Sequence, residues 1–381
     1  MTRPRLLFLL LLFAAVNASA VPLRFVVTHN GDSGPGSLRA AIESVNNGPC
    51  AVSACWISFS FTDAVIALES PLPIVKAYDI LIDGGRGIAL DGTKLTSGNG
   101  LDLNVTARAE VDSLTIRNFP GNGILLRMRV RTSGFDPSPE LKVSRCVVER
   151  NQRGVNLGPA GGSGSAAVYD SIIAENVRSG LFLSSGSRLL AEWNWIAGNG
   201  GSGIFLDNGV GGMTTIAHNV IERNHDFGIA MAPAAGSVRI RLNSIAHNGG
   251  GAIDIGLDGP NKEWPWLYGP RQGAVLEAAS YDPETNTTTI TGTLDDMLNN
   301  HCGCFYSYAI ALYSNEKAEH GEYAEAETYL GEVKLTAGRF VFTFNGDLRG
   351  RYVTALPTRW YNFDFSQIPD TVELSNTVLV Q

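Results

Sequence analysis

Between Ser144 and Ile255 apolar and polar positions recur together at a long, nearly constant interval. Asn151, Asn176, Asn199, Asn224 and Asn248 mark the register, 25, 23, 25 and 24 residues apart, which is the spacing of a solenoid repeat. The fullest unit runs from Asn194 through Ile196 and Asn199 to Gly203, Ile204 and Leu206. The next repeats it as Asn219, Ile221, Asn224, Gly228, Ile229 and Met231. The preceding unit is Ser171, Ile173, Asn176, Gly180, Leu181 and Leu183. The following one is Asn243, Ile245, Asn248, Ile253 and Ile255, with Ala252 in the glycine's place, and Cys146, Val148, Asn151, Gly154, Val155 and Leu157 form a looser first copy.

Within each unit the apolar residues alternate with period 2, which is strand spacing rather than helix spacing. Such short strands bury nothing alone. Stacked unit upon unit at about 4.8 Å, they pair in parallel and turn matching positions into internal columns. The recurring asparagines are then expected at the turns, where Asn tolerates left-handed backbone angles and its amide bonds to the copy one coil away. Less regular coils precede them, in Ile80–Asp83, Gly87–Leu90, Leu114–Asn118 and Gly123–Leu126. The period predicts about eight or nine coils over residues 56–258.

Open solenoid ends need covers. Leu38, Ala41, Ile42 and Val45 share one helical face, which predicts a capping helix within residues 21–55. At the other end the repeat stops near Asp258. The aromatic stretch Trp264-Pro265-Trp266-Leu267-Tyr268 in residues 259–275 is expected to serve as linker or cap, and alternating strands over 276–381 predict a β-sandwich.

Composition narrows the setting. Arg3 and Arg5 precede an apolar run, Leu6 to Val16, that ends in Ala18-Ser19-Ala20, so residues 1–20 read as an export signal cleaved after Ala20. The run is too short to span a bilayer, and no transmembrane segment is expected in the mature chain, which is placed outside the cell or on its surface. Loss of the leader takes the formal charge from −8 to −10, which argues against a nucleic-acid partner. Cys50 and Cys55 enclose a short loop and are expected to form a disulfide. Cys302 and Cys304 are spaced poorly for bridging each other, and no second cluster stands at zinc spacing, so no metal site is expected. Cys146 falls on a repeat position and is expected inside; the pairing of these last three stays open.

The opening Gly34-Pro35-Gly36-Ser37-Leu38-Arg39-Ala40-Ala41-Ile42, the Asn/Gly-Ile-x-Leu coils and the tail Gly321-Glu322-Tyr323-Ala324-Glu325-Ala326-Glu327-Thr328-Tyr329-Leu330-Gly331 resemble the secreted bacterial right-handed parallel β-helix repeat proteins. The coil motif is shared with the wider superfold that includes pectate lyases. The resemblance implies an all-β right-handed parallel β-helix but names no reaction, because the superfold hosts lyases, hydrolases, epimerases, adhesins and tailspikes.

Hydrolases of that superfold carry paired carboxylates and a Gly-His-Gly on successive coils. Here only Arg239-Ile240-Arg241 resembles one of their motifs, and Asp295-Asp296 lies in the C-terminal region. A lyase needs a basic residue beside acids, usually with calcium. Its candidates are Arg223, His225, His247 and Glu222, with Glu175 and Asp226 along the same expected edge and Gly198 leaving a gap. Two features favour ligand binding instead. Arg127, Arg129 and Arg131 alternate with Leu126, Met128 and Val130 and would point outward in a row, suited to an anionic polysaccharide. Phe182 and Phe205 share an outward slot on adjacent coils. The chain is accordingly read as an exported β-helix that binds an extended glycan or cell-surface partner without a cofactor. A polysaccharide lyase, with calcium, and a structural spacer are the alternatives.

Overall fold

The computed structural model describes residues 22–128, 138–158, 162–184, 186–210, 214–259, 274–294, 306–318, 324–335, 338–361, 369–371 and 373–381. The leader, Arg129 and Arg131, the Trp264–Tyr268 stretch, Asp295-Asp296, Cys302, Cys304 and the start of the tail motif (321–323) lie outside the described residues.

The chain winds into a parallel β-solenoid whose wall is three columns of strands. Inward residues of successive rungs pair in register. Val111, Val143, Val168, Ala191, Ile216 and Ile240 stack in the first sheet. Ile116, Val148, Ile173, Ile196, Ile221 and Ile245 stack in the second, and Ile124, Val155, Leu181, Ile204, Ile229 and Ile253 in the third. All are buried. The solenoid makes about seven turns, which the expected eight or nine coils overstate unless each strand level is counted as a coil. Strands Leu23–Val27 and Ala54–Phe59 pair in parallel at its start.

The asparagines bond from coil to coil as expected, but the left-handed bend is not theirs. Asn199 donates both its backbone N–H (3.1 Å) and its Nδ2 (2.9 Å) to Asn224 Oδ1, and Asn224 does the same to Asn248. Asn151 and Asn176 continue this ladder toward the N-terminus. None of the five is left-handed. That conformation falls on the residue before each: Arg150, Glu175, Gly198, Arg223 and His247, with φ of 54, 54, 64, 54 and 60°. Turning the chain one residue early leaves the amide free to point inward and bond along the stack. A second buried ladder, Asn194, Asn219 and Asn243, turns the chain between the first and second sheets.

The repeated glycine has a steric cause. A Cβ at Gly228 would sit 2.3 Å from Ile245 Cγ2 and 2.7 Å from the Ala252 carbonyl, both one rung further on. Ala252 belongs to the last rung and has no further rung above it, so a methyl group fits there.

At the N-terminal end the helix Leu38–Asn47, capped by Ser37, buries Leu38, Ala41, Ile42 and Val45 against the solenoid core, beside the Cys50–Cys55 disulfide. It is too short to cross a membrane, and no helix among the described residues is long and apolar enough to do so. The C-terminal region forms two antiparallel sheets, one of three strands (Val275–Asp282, Thr287–Leu294, Gly338–Asn345) and one built on Tyr306–Asn315 and Tyr352–Tyr361. They share a core that includes Leu276, Ile290, Ile310, Leu312 and Val353.

That region covers the last rung. Ile245 and Ala326 exchange backbone hydrogen bonds of 2.8 and 2.9 Å. The N–H groups of Ile240, His247 and Ile255 donate to Thr371 Oγ1, Glu325 Oε1 and Glu373 Oε1. Each of the three terminal strands therefore finds partners, and Tyr313, Ala326, Leu356 and Leu374 close the solenoid core.

Candidate functional site

Each third-sheet strand reads apolar-x-apolar, so its middle residue faces outward. Along the stack this outward slot holds Asp102, Leu125, Asn156, Phe182, Phe205 and Ala230. Two residues further along each strand, Arg127 pairs in register with Gly158. The structure thus brings Arg127, Phe182 and Phe205, which sequence spacing offered as separate candidates, onto one face.

The two phenylalanine rings stack in parallel, with centroids 5.4 Å apart and planes at 2°. The Arg153 guanidinium carbon covers the free side of Phe182, 4.4 Å from its centroid. Burial, together with the nearby Arg178 charge, lowers the Arg153 pKa. The ring faces are therefore largely used within the column, and a ligand on this face meets ring edges and the guanidinium. Beside the rings runs a chain of amides. Asn156 Nδ2 donates to Asn122 Oδ1 (3.0 Å), Asn122 to Asn99 (2.8 Å) and Asn99 to Asp102 (3.0 Å). Arg127 ends the relay by a two-bond contact with Asp102, at 2.5 and 2.9 Å. It is therefore a paired arginine rather than an open anion grip. Two polar atoms at the aromatic end, Asn156 Oδ1 and Arg153 Nε, have no hydrogen-bond partner among the described residues.

The other expected edge lines up by position, with Glu175, Gly198, Arg223 and His247 each preceding a ladder asparagine on successive rungs, but its side chains turn to different partners. Arg223 pairs with Glu222 at 2.5 Å, and Glu222 also accepts from Trp195 Nε1 at 3.0 Å. His225 turns to Asp226, 3.1 Å away and exposed, while His247 lies under the C-terminal region with Nδ1 3.9 Å from the buried Glu325 carboxylate. Glu175 and Arg223 occupy the same turn position two rungs apart with Gly198 between them, and Arg150 reaches Glu175 at 3.8 Å. Among the described residues no group of three His, Cys, Asp or Glu is placed to hold a metal ion. Cys146 is free and buried, its pKa pushed up to about 12 by desolvation.

Arg153 and Asn156 escaped the reading of the sequence. Aligning the rungs would have found Asn156, because it occupies the same slot as Phe182. Arg153 would not have been found, since its side chain leaves the turn to cross onto the next rung. A family model described as right handed beta helix region matches residues 46–263. No curated protein matches the chain.

Proposed function

Because the chain belongs to the right handed beta helix family, we propose that it is an exported protein that binds an extended glycan along the outer face of its third sheet, with the two C-terminal sheets forming a β-sandwich. The fold is consistent with a carbohydrate-related or surface role, and the leader-like start of the sequence supports export. One observation carries the reading: the Arg153–Phe182–Phe205 stack lies next to an Asn156 amide oxygen that has no hydrogen-bond partner among the described residues. Apolar ring edges flanked by a guanidinium and an amide suit a sugar, which offers C–H patches and hydroxyl groups side by side. A solenoid also repeats its outward slots every ~4.8 Å, so an extended polymer meets a series of equivalent positions.

Retention on a panel of immobilised polysaccharides, followed by affinity measurement on those that bind, tests this. Phe182→Ala with Phe205→Ala, and Asn156→Ala alone, are each expected to weaken binding by about tenfold or more, while Arg223→Ala leaves it unchanged. Failure of every glycan to bind would favour a spacer. Release of unsaturated uronate product that depends on Arg223 would replace the proposal with a lyase.

A further inference from the structure

In each second-sheet strand the middle residue fills the core and the first faces outward. These first positions stack in register as Val147, Ile172, Trp195, Val220 and Ser244. Ile172, Trp195 and Val220 occupy successive rungs, and each is more than a third exposed. Trp193, in the turn that enters this sheet, is 60% exposed and stacks on His218 one rung further on, with centroids 4.2 Å apart and planes at 6°. Two indoles and two aliphatic side chains thus form a continuous apolar strip, the mark of an interaction surface rather than of scattered surface carbon. Charges border it on both sides. The left-handed position of the entering turn carries Arg145, Asp170, Trp193, His218 and Leu242, and that of the leaving turn carries Arg150, Glu175, Gly198, Arg223 and His247. The Glu175 and Arg223 side chains are 61 and 65% exposed.

We propose that this face pairs with a second copy of the chain, about a two-fold axis that runs along the strands through Trp195. Such an axis reverses the order of the rungs and sets each column opposite itself. Trp195 then meets its own copy, Ile172 meets Val220, Glu175 meets Arg223 and Asp170 meets His218. Arg145 falls on Leu242, and Arg150 on His247, whose ring lies beside the buried Glu325 carboxylate. The other face-to-face arrangement, with the axis along the solenoid, keeps the rungs in order and exchanges the two turns. It sets Asp170 against Glu175 and Arg145 against Arg150, like charges in both cases. The face is therefore complementary to itself in one orientation, which favours a second copy over another occupant. The indoles fall at the centre of that contact, where binding energy concentrates. Five rungs at ~4.8 Å and about six residues at ~3.3 Å offer roughly 500 Å² per copy. The pair then buries about 1,000 Å², near the lower limit of a specific interface, so the dimer is expected at micromolar concentrations and the monomer below them. The two-fold axis closes the assembly at two copies, and the third sheet lies outside the contact.

Sedimentation velocity of the full chain across the micromolar range tests this. The mass is expected to rise from one copy to two with concentration. Trp195→Ala should raise the dissociation constant about tenfold or more, while Phe182→Ala leaves it unchanged. Glu175→Arg and Arg223→Glu should each weaken self-association about tenfold. An equimolar mixture of the two should restore it, because both contacts of the mixed pair join opposite charges. A chain that stays monomeric throughout that range would overturn the proposal, as would a dimer that Trp195→Ala leaves intact. Stronger association of Glu175→Arg, or a mixture that pairs no better than its components, would overturn it equally. Retention on polysaccharide that Trp195→Ala abolishes, in a chain that stays monomeric, would give this face to a sugar instead.

Discussion

Asp91 shows how a single carboxylate ties two rungs together. Burial raises its pKa, but hydrogen bonds from the Thr93 hydroxyl and amide and from Asn118 and Arg117 outweigh that and hold it at about 2. The bonds to Arg117 and Asn118 cross to the following rung, at 2.9 and 3.3 Å. A folded-state pKa below the unfolded value means that the stabilisation is fully present above the unfolded pKa near 4 and is lost as pH falls through 2. The depression corresponds to about 2 kcal/mol. Urea denaturation of the native chain and of Asp91→Asn is therefore expected to differ by about that amount at pH 7 and to converge as pH approaches 2. A gap that stays constant with pH would show that Asp91 acts by shape rather than by charge.

The turn between the second and third sheets shows what the repeat reveals and what it hides. Its asparagines were legible because they recur, and its strands because alternation is local. The left-handed residue was not legible, because Asn itself tolerates that conformation while the position before it varies among Arg, Glu, Gly and His. The amide ladder, not residue preference, decides which of the two bends. This separates two neighbours energetically. Asn224→Ala leaves the buried N–H and Nδ2 of Asn199 without their acceptor and should cost about 2–4 kcal/mol in denaturant unfolding. Arg223→Gly removes an exposed ion pair of little worth and relieves a left-handed residue, so stability should change by no more than about 1 kcal/mol. The glycines follow the same logic: Gly228→Ala pushes a methyl group into Ile245 and should cost about 1–3 kcal/mol. Equal effects of Asn224→Ala and Arg223→Gly would remove the ladder from its structural role.

At the scale of the whole chain the solenoid core and the C-terminal sheets form one continuous structure, and sequence reading could not see this. The contacts that join them span large separations: Thr371 meets Ile240 and Glu373 meets Ile255 across 131 and 118 residues. The residues that make them carry no repeat signature. Periodicity foretells that the last rung needs a cover and is silent on which segment supplies it. Among the described residues that cover is a backbone bridge at Ala326, side-chain acceptors from Glu325, Thr371 and Glu373, and the buried ring of Tyr313. A chain ending at Gly259 would expose Ile240, Ile245, Ile253 and Ile255 together with strand-edge N–H groups, each costing about 1–3 kcal/mol where it stays buried and unpaired. An uncovered strand edge is also a template for another chain. The truncated protein is therefore expected to melt earlier than the full chain and to self-associate in a concentration-dependent way in light scattering. If it instead stays monomeric with an unchanged melting temperature, the last rung is stable uncovered, and the C-terminal region would be an attached module rather than the end of the solenoid.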